Sequence, residues 1–147
     1  MKKTEWDNFW NFDENLVIQP NREVYEISID TFFNARHFVV LDGKRGEEHS
    51  HSYRIQVRCR SNSLDQQQMI IGFADFRKTI HRVTQIYNNS LLNELPPFKK
   101  IQATTEALSA VMFQQLERLL AGDNLELVAV TLWESPDEGV TYERRQL

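Results

Sequence analysis

A single cysteine among 147 residues rules out any intrachain disulfide, so packing alone must hold this chain together. That cysteine, Cys59, sits in an alternating stretch and is expected to face the core as a small hydrophobe. A lone thiol suits a reducing cytoplasm, which is the expected compartment. Basic excess is missing too. Lys plus Arg number 17 against 21 Asp plus Glu, for a net charge of −4, and no block of like charge stands out. Nothing therefore points to nucleic acid as a partner. Arg54, Arg58 and Arg60 recur on one side of a strand pattern and read as a solvated or subunit-facing surface rather than a phosphate path. No apolar run approaches a membrane span, and no membrane partner is expected. Met1-Lys2-Lys3-Thr4-Glu5-Trp6-Asp7 has no apolar stretch behind its lysines, so no signal peptide is expected. Internal repeats and low-complexity tracts are likewise missing. What remains is 41% hydrophobic and 26% charged, enough to build the core of one domain of ordinary size.

Within that chain, residues 1–22 carry Trp6, Phe9, Trp10 and Phe12 among polar residues. They are expected to form an aromatic arm packed on the body or on a neighbouring subunit, with the domain proper at 23–147. A first strand is expected from Glu23 to Val40. Asp42 to Glu48 reads as a turn or loop, and a second strand follows to Arg60. After a polar loop, Phe73, Phe76, Ile80, Val83 and Tyr87 keep helical spacing and predict a helix over Asp75 to Asn89. Pro96 and Pro97 interrupt the chain. A second helix is expected from Thr104 or Thr105, either of which suits an N-cap, with Leu108, Val111, Met112, Leu116, Leu119 and Leu120 buried and Gly122 as its stop. Leu125 to Glu134 and Val140 to Arg145 read as a closing hairpin about Pro136-Asp137-Glu138-Gly139. The order β-β-α-α-β-β predicts an α+β fold, a four-stranded antiparallel sheet with two helices on one face.

Three of the four histidines fall in these strands. His49 and His51 are two apart, so they share a face with Tyr53, Ile55, Val57 and Cys59. His37 shares the face of Ile27, Ile29, Phe33 and Ala35. A hairpin of the two strands brings three imidazoles together on an apolar side. Three neutral imidazoles suit zinc with one position left open, although nickel, copper or iron use the same nitrogens. The plain alternative is three separate, hydrogen-bonded histidines near a strand end.

Several segments together carry a resemblance. Phe33-Asn34-Ala35-Arg36-His37 is similar to Phe-x-Ala-x-His, and His49-Ser50-His51-Ser52-Tyr53 to His-Gly-His-Asn-Tyr, in the family of 6-pyruvoyltetrahydropterin synthase and 6-carboxytetrahydropterin synthase. Met69-Ile70-Ile71-Gly72-Phe73, Leu92-Asn93, Ala103-Thr104-Thr105-Glu106 and Trp133-Glu134-Ser135 with Val140-Thr141-Tyr142 resemble further family segments in the same order. The resemblance covers roughly Tyr25 to Arg144. It implies the tunnelling fold, whose subunits join their sheets into a barrel, often as a hexamer of two stacked trimers. It also implies zinc on His37, His49 and His51, and a pterin anchored by Glu134, whose carboxylate accepts two adjacent N–H groups. Thr104 and Thr105 match a region that lines the same pocket, with helix capping as their alternative role.

Three positions depart from the family. Arg45 stands where relatives that act as synthases carry a cysteine, and Asn88 and Asn89 fall where they carry an Asp-His pair. Arginine does not act as a base near neutral pH, and asparagine does not titrate. Glu47 and Glu48 are the candidate substitutes if their loop folds inward. His81 and Tyr87 read as surface and core. Three functions follow: a zinc-dependent lyase acting on 7,8-dihydroneopterin triphosphate or a related pterin; a divergent paralogue that keeps zinc and pterin but runs another reaction or only binds; and an oligomeric interaction protein with a vestigial site.

Overall fold

The computed structural model describes residues 23–121 and 124–145. The arm expected over 1–22 and the helix stop at Gly122 lie outside the described residues. Two long strands set the frame. β1 (Tyr25–His37) and β4 (His49–Ser61) pair antiparallel without interruption from Tyr25↔Ser61 to His37↔His49. Side chains alternate across this ribbon. Ile29, Phe33, Ala35 and His37 of β1 are buried with Tyr53, Ile55, Val57 and Cys59 of β4.

Between the two strands runs a short hairpin, β2 (Val40–Leu41) and β3 (Lys44–Arg45). Asp42 and Gly43 turn it with φ of 51° and 75°. Two successive positive φ angles are what a two-residue hairpin demands, and Asp-Gly supplies them at least cost. The loop expected here is thus a hairpin in its own right.

The rest of the sheet is β5 (Ser90–Leu91), β6 (Glu126–Ser135) and β7 (Glu138–Glu143), in the order β5-β1-β4-β6-β7. Five strands replace the expected four because β5 joins β1 in parallel at Ala35↔Ser90 and Arg36↔Leu91. The cause lies in two asparagines. Asn89 turns left-handed at φ 59°, a conformation asparagine tolerates, and its N–H donates to the Asn34 carbonyl at 2.6 Å. The Asn88 side chain accepts from the Asn34 N–H at 2.9 Å. A two-residue strand docked this way has no periodicity to read.

Helices α1 (Phe73–Tyr87) and α2 (Thr105–Leu120) both cover the buried face. Phe76, Ile80, Val83 and Tyr87 of α1 and Leu108, Met112, Leu116 and Leu120 of α2 form the core with the strands. Two expected core residues are exposed. Phe73 opens α1 with no preceding turn to shield it, and Leu119 lies about 100° round the helix from Leu120. Pro96 starts a 3-10 turn, Pro96–Lys99, rather than only ending one element, and it buries Phe98. Among the described residues no helix is long and apolar enough to cross a membrane.

Candidate metal centre

The long ribbon delivers the histidines together. His37 at the end of β1 is paired with His49 at the start of β4, and Ala35 with His51. Their ligating atoms all lie within 4.8 Å of one another. Burial is graded: His37 is buried, His51 half-buried and His49 exposed. The centre therefore opens to solvent on the His49 side of this chain, where the sequence pattern suggested that water would be scarce.

Backbone carbonyls fix how these rings point. His37 Nδ1 donates to the Ala103 carbonyl at 2.6 Å, and His49 Nδ1 donates to the Glu47 carbonyl at 2.9 Å. A neutral imidazole that donates from one nitrogen presents a bare lone pair at the other. The two remaining nitrogens, His37 Nε2 and His49 Nε2, face each other at 2.9 Å. Two lone pairs at that distance repel unless a Lewis acid or a proton sits against them. The third ring agrees with this reading. His51 Nε2 is buried and has no hydrogen-bond partner. Burial holds the His51 imidazole below the usual histidine range, with the Glu134 carboxylate pulling the other way. A tetrahedral zinc with three nitrogen ligands needs them about 3.4 Å apart. The observed spread brackets that value, so the donor set fits a divalent ion after small ring movements. Carbonyl partners on the outer nitrogens are usual for imidazoles that hold a metal ion.

Glu134 reaches this centre from β6, where alternation from Val130 and Leu132, paired with the buried Val57 and Ile55, puts it on the face of Tyr53 and His51. Trp133 pairs with Gly139 and Ser135 pairs with Glu138, so Glu134 is the extra residue of a β-bulge. The bulge interrupts the β6–β7 ladder at this side chain without changing its face. Here Glu134 Oε2 stands 3.8 Å from His51 Nε2, and Glu134 Oε1 accepts a hydrogen bond from the Thr105 hydroxyl. Beneath them lies Tyr53, fully buried and stacked on Phe33. Its hydroxyl is buried without a hydrogen-bond partner of good geometry. Burial, then the Glu134 charge, push that phenol above its ordinary range, against a smaller opposite pull from Thr105. A cavity of about 400 Å³ adjoins, lined by Thr105, Glu106, Glu134, Asp137 and Glu138 together with Gly139 and Val140.

The two threonines separate by role. Thr104 is the N-cap of α2, its side chain accepting from the Ala107 N–H at 3.2 Å, whereas Thr105 faces Glu134. Glu48 is held away from the rings by Arg36 at 2.8 Å, with Arg45 at 3.9 Å, and Glu47 is exposed. Arg45 lies 3.8 Å over the Phe38 ring. Asn88 and Asn89 serve the β5 connection described above. Sequence reasoning did not single out the Ala103 carbonyl, nor the hydroxyl of Tyr53. It also missed two amides that clamp the chain after His37. Asn93 bonds both the N–H and the carbonyl of Phe38, and Gln102 those of Val40.

The family model described as 6-pyruvoyl tetrahydropterin synthase matches residues 26–145. The chain belongs to this family. Among the pterin synthases, the 6-carboxy-5,6,7,8-tetrahydropterin synthase of Bacillus subtilis is 24% identical over 128 residues, 80% of this chain and 84% of that one. An Archaeoglobus fulgidus protein carrying a provisional form of the same name is 29% identical over 68 residues, and the match spans only 58% of its length. The solved 6-pyruvoyl tetrahydropterin synthase of Caenorhabditis elegans superposes with a TM-score of 0.73 at 20% identity, over 84% of this chain and 97% of that one. A catalytic-residue mutant of the Plasmodium vivax enzyme gives 0.69 at 17% identity, over 84% and 99%. These likenesses establish the tunnelling fold for the described domain.

Proposed function

We propose that this member of the pterin synthase family holds zinc on His37, His49 and His51 and binds a pterin against Glu134, without the proton-transfer groups of the usual reaction. The observation that carries the reading is the facing pair of bare imidazole nitrogens at 2.9 Å, with a bulged carboxylate beside the third ring. Glu134 accepts two adjacent N–H groups of the pterin edge, as one carboxylate can. Thr105 orients that carboxylate through its hydroxyl. When bound, zinc polarises a side-chain oxygen of the pterin and makes its neighbouring protons more acidic.

A base at the family's own proton-transfer positions is what the surroundings lack. Arg45 stays charged, Asn88 and Asn89 are spent on the backbone of Asn34, and Glu48 is paired with Arg36. A positioned base is worth about two to four orders of magnitude in rate. Binding, or a reaction other than the family lyase step, is therefore favoured over efficient turnover of 7,8-dihydroneopterin triphosphate. The family lyase step is the second reading, supported by the retained histidines and Glu134.

The test has three readouts. Purified protein should carry stoichiometric zinc that a chelator removes and that His49→Ala loses. Calorimetry should show pterin binding that disappears in Glu134→Ala. Triphosphate release from 7,8-dihydroneopterin triphosphate should stay at the level of a zinc blank, and release well above it would establish the second reading. Metal-free native protein with no pterin affinity would reject both in favour of a vestigial site. A homo-oligomer, two stacked trimers in a reducing cytoplasm, belongs to the same proposal.

A further inference from the structure

One short segment borders both His37 and Glu134. Gln102, Ala103, Thr104 and Thr105 are consecutive, and each makes a different contact. The Gln102 side chain accepts from the Val40 N–H at 3.1 Å and donates to the Val40 carbonyl at 2.6 Å. The Ala103 carbonyl accepts from His37 Nδ1 at 2.6 Å. Thr104 caps α2, and the Thr105 hydroxyl donates to Glu134. Ala103 is fully buried, whereas Gln102 is exposed.

The grip on Val40 copies a strand pair. Two residues opposite each other in an antiparallel ladder exchange an N–H and a carbonyl bond, and here a primary amide stands in for the second strand. Asn93 does the same at Phe38, at 3.0 and 2.9 Å. The other edge of this stretch is tied to the hairpin, where the Gly46 N–H donates to the Val39 carbonyl at 2.8 Å. Phe38 to Val40 are thus held on both edges immediately after the buried His37. The Ala103 carbonyl is pinned in turn by the amide before it and the helix cap after it. Its place against His37 follows from those two anchors.

Resting on the zinc reading above, we propose that Gln102 is a positioning residue of the metal centre, which keeps the Ala103 carbonyl on His37 Nδ1 and so leaves the His37 Nε2 lone pair free for the ion. An imidazole whose Nδ1 loses its acceptor can carry its proton on Nε2 instead, and that tautomer offers the centre no lone pair. His37 is the most buried of the three rings, so solvent is poorly placed to replace the carbonyl. The Gln102 bonds lie at the surface, where water competes for both partners and the net contribution of such bonds to folding is small. Their loss is therefore felt in the aim of the ring more than in the fold.

The experiment measures the zinc affinity of the full chain by competition with a chelating indicator, in wild type, Gln102→Ala and Gln102→Glu. Gln102→Ala should weaken zinc binding about tenfold, the lower end for groups that support a histidine ligand. Gln102→Glu keeps an acceptor for the Val40 N–H but sets a carboxylate against the Val40 carbonyl, so it should weaken binding as well. Cobalt loaded in place of zinc should show altered visible absorption in both variants, because those bands report ligand geometry. Far-ultraviolet circular dichroism of the metal-free protein should be the same in all three, since Gln102 is exposed. Wild-type zinc affinity and a wild-type cobalt spectrum in Gln102→Ala overturn this inference and leave the zinc reading standing. Weakened zinc binding that comes with altered circular dichroism of both metal-free variants makes Gln102 a folding residue and overturns it too. If wild type takes up neither zinc nor cobalt, the inference and the zinc reading fall together.

Discussion

Cys59 shows how one residue's surroundings decide its chemistry. It is fully buried on β4, and burial pushes its thiol up to about 12. The thiolate is the reactive form, so a folded chain should resist a disulfide reagent at pH 8 and label fully only in denaturant. Stoichiometric labelling of native protein would show that β4 opens locally. Gly139 offers a second test at this scale. A Cβ placed there would come within 2.5 Å of the Trp133 ring, which lies directly over it across the β6–β7 pair. Gly139→Ala must displace the indole, and overpacking of this kind costs about 1–3 kcal/mol. The displacement should shift tryptophan emission and lower the free energy of unfolding by that amount. Because the indole flanks the bulge, pterin affinity should fall with it.

Among the elements, the ribbon of β1 and β4 carries ionic rails on the face turned away from the helices. Arg58 and Arg60 bond Glu26 at 2.6 and 3.2 Å, and these contacts hold its carboxyl below the usual range, Arg58 contributing most. A carboxylate depressed in the folded state adds stability that is present above its unfolded pKa and is lost as pH falls through the folded one. Denaturant titrations of wild type and Glu26→Gln should therefore differ at pH 7 by up to about 1 kcal/mol, the ceiling for a pair near the surface. The difference should vanish as pH drops below the ordinary carboxylate range. A gap that persists at pH 2 would assign the effect to packing instead. Elements were also where the sequence spoke most clearly. Long strands and amphipathic helices repeat one side-chain period many times, so β1, β4, α1 and α2 could be read within two or three residues. The faces of β1 and β4 followed from alternation, and with them the expectation that His37, His49 and His51 meet if the two strands pair. What stayed hidden depends on single backbone events. β5 exists because Asn89 turns left-handed, and one surplus residue at Glu134 interrupts the β6–β7 ladder. The carbonyl of Ala103, which aims His37, has no side-chain signature at all.

At the scale of the molecule, among the described residues the helices cover only one face of the sheet. On the other, Phe32 is 65% exposed beside Arg54 and Trp133, bounding a cavity of about 650 Å³. β7 forms one edge, and β5 covers only two residues of β1 at the other. Unpaired strand edges and an exposed aromatic side chain are features that assembly removes. Phe32→Glu should accordingly shift the native protein towards smaller species in sedimentation while leaving its far-ultraviolet circular dichroism unchanged. If wild type itself sediments as a monomer at micromolar concentration, association is not how this face is protected.

The bulge at Glu134 gives up hydrogen-bonding regularity just past the site. Deleting Ser135 would let β6 and β7 zip without a gap, and the hairpin should become sturdier for it. Glu134 would keep the face it shares with Leu132, within range of Thr105 and His51. A sturdier protein that still recognises its ligand is the outcome to look for, and lost recognition would instead make a lone surplus residue its hinge.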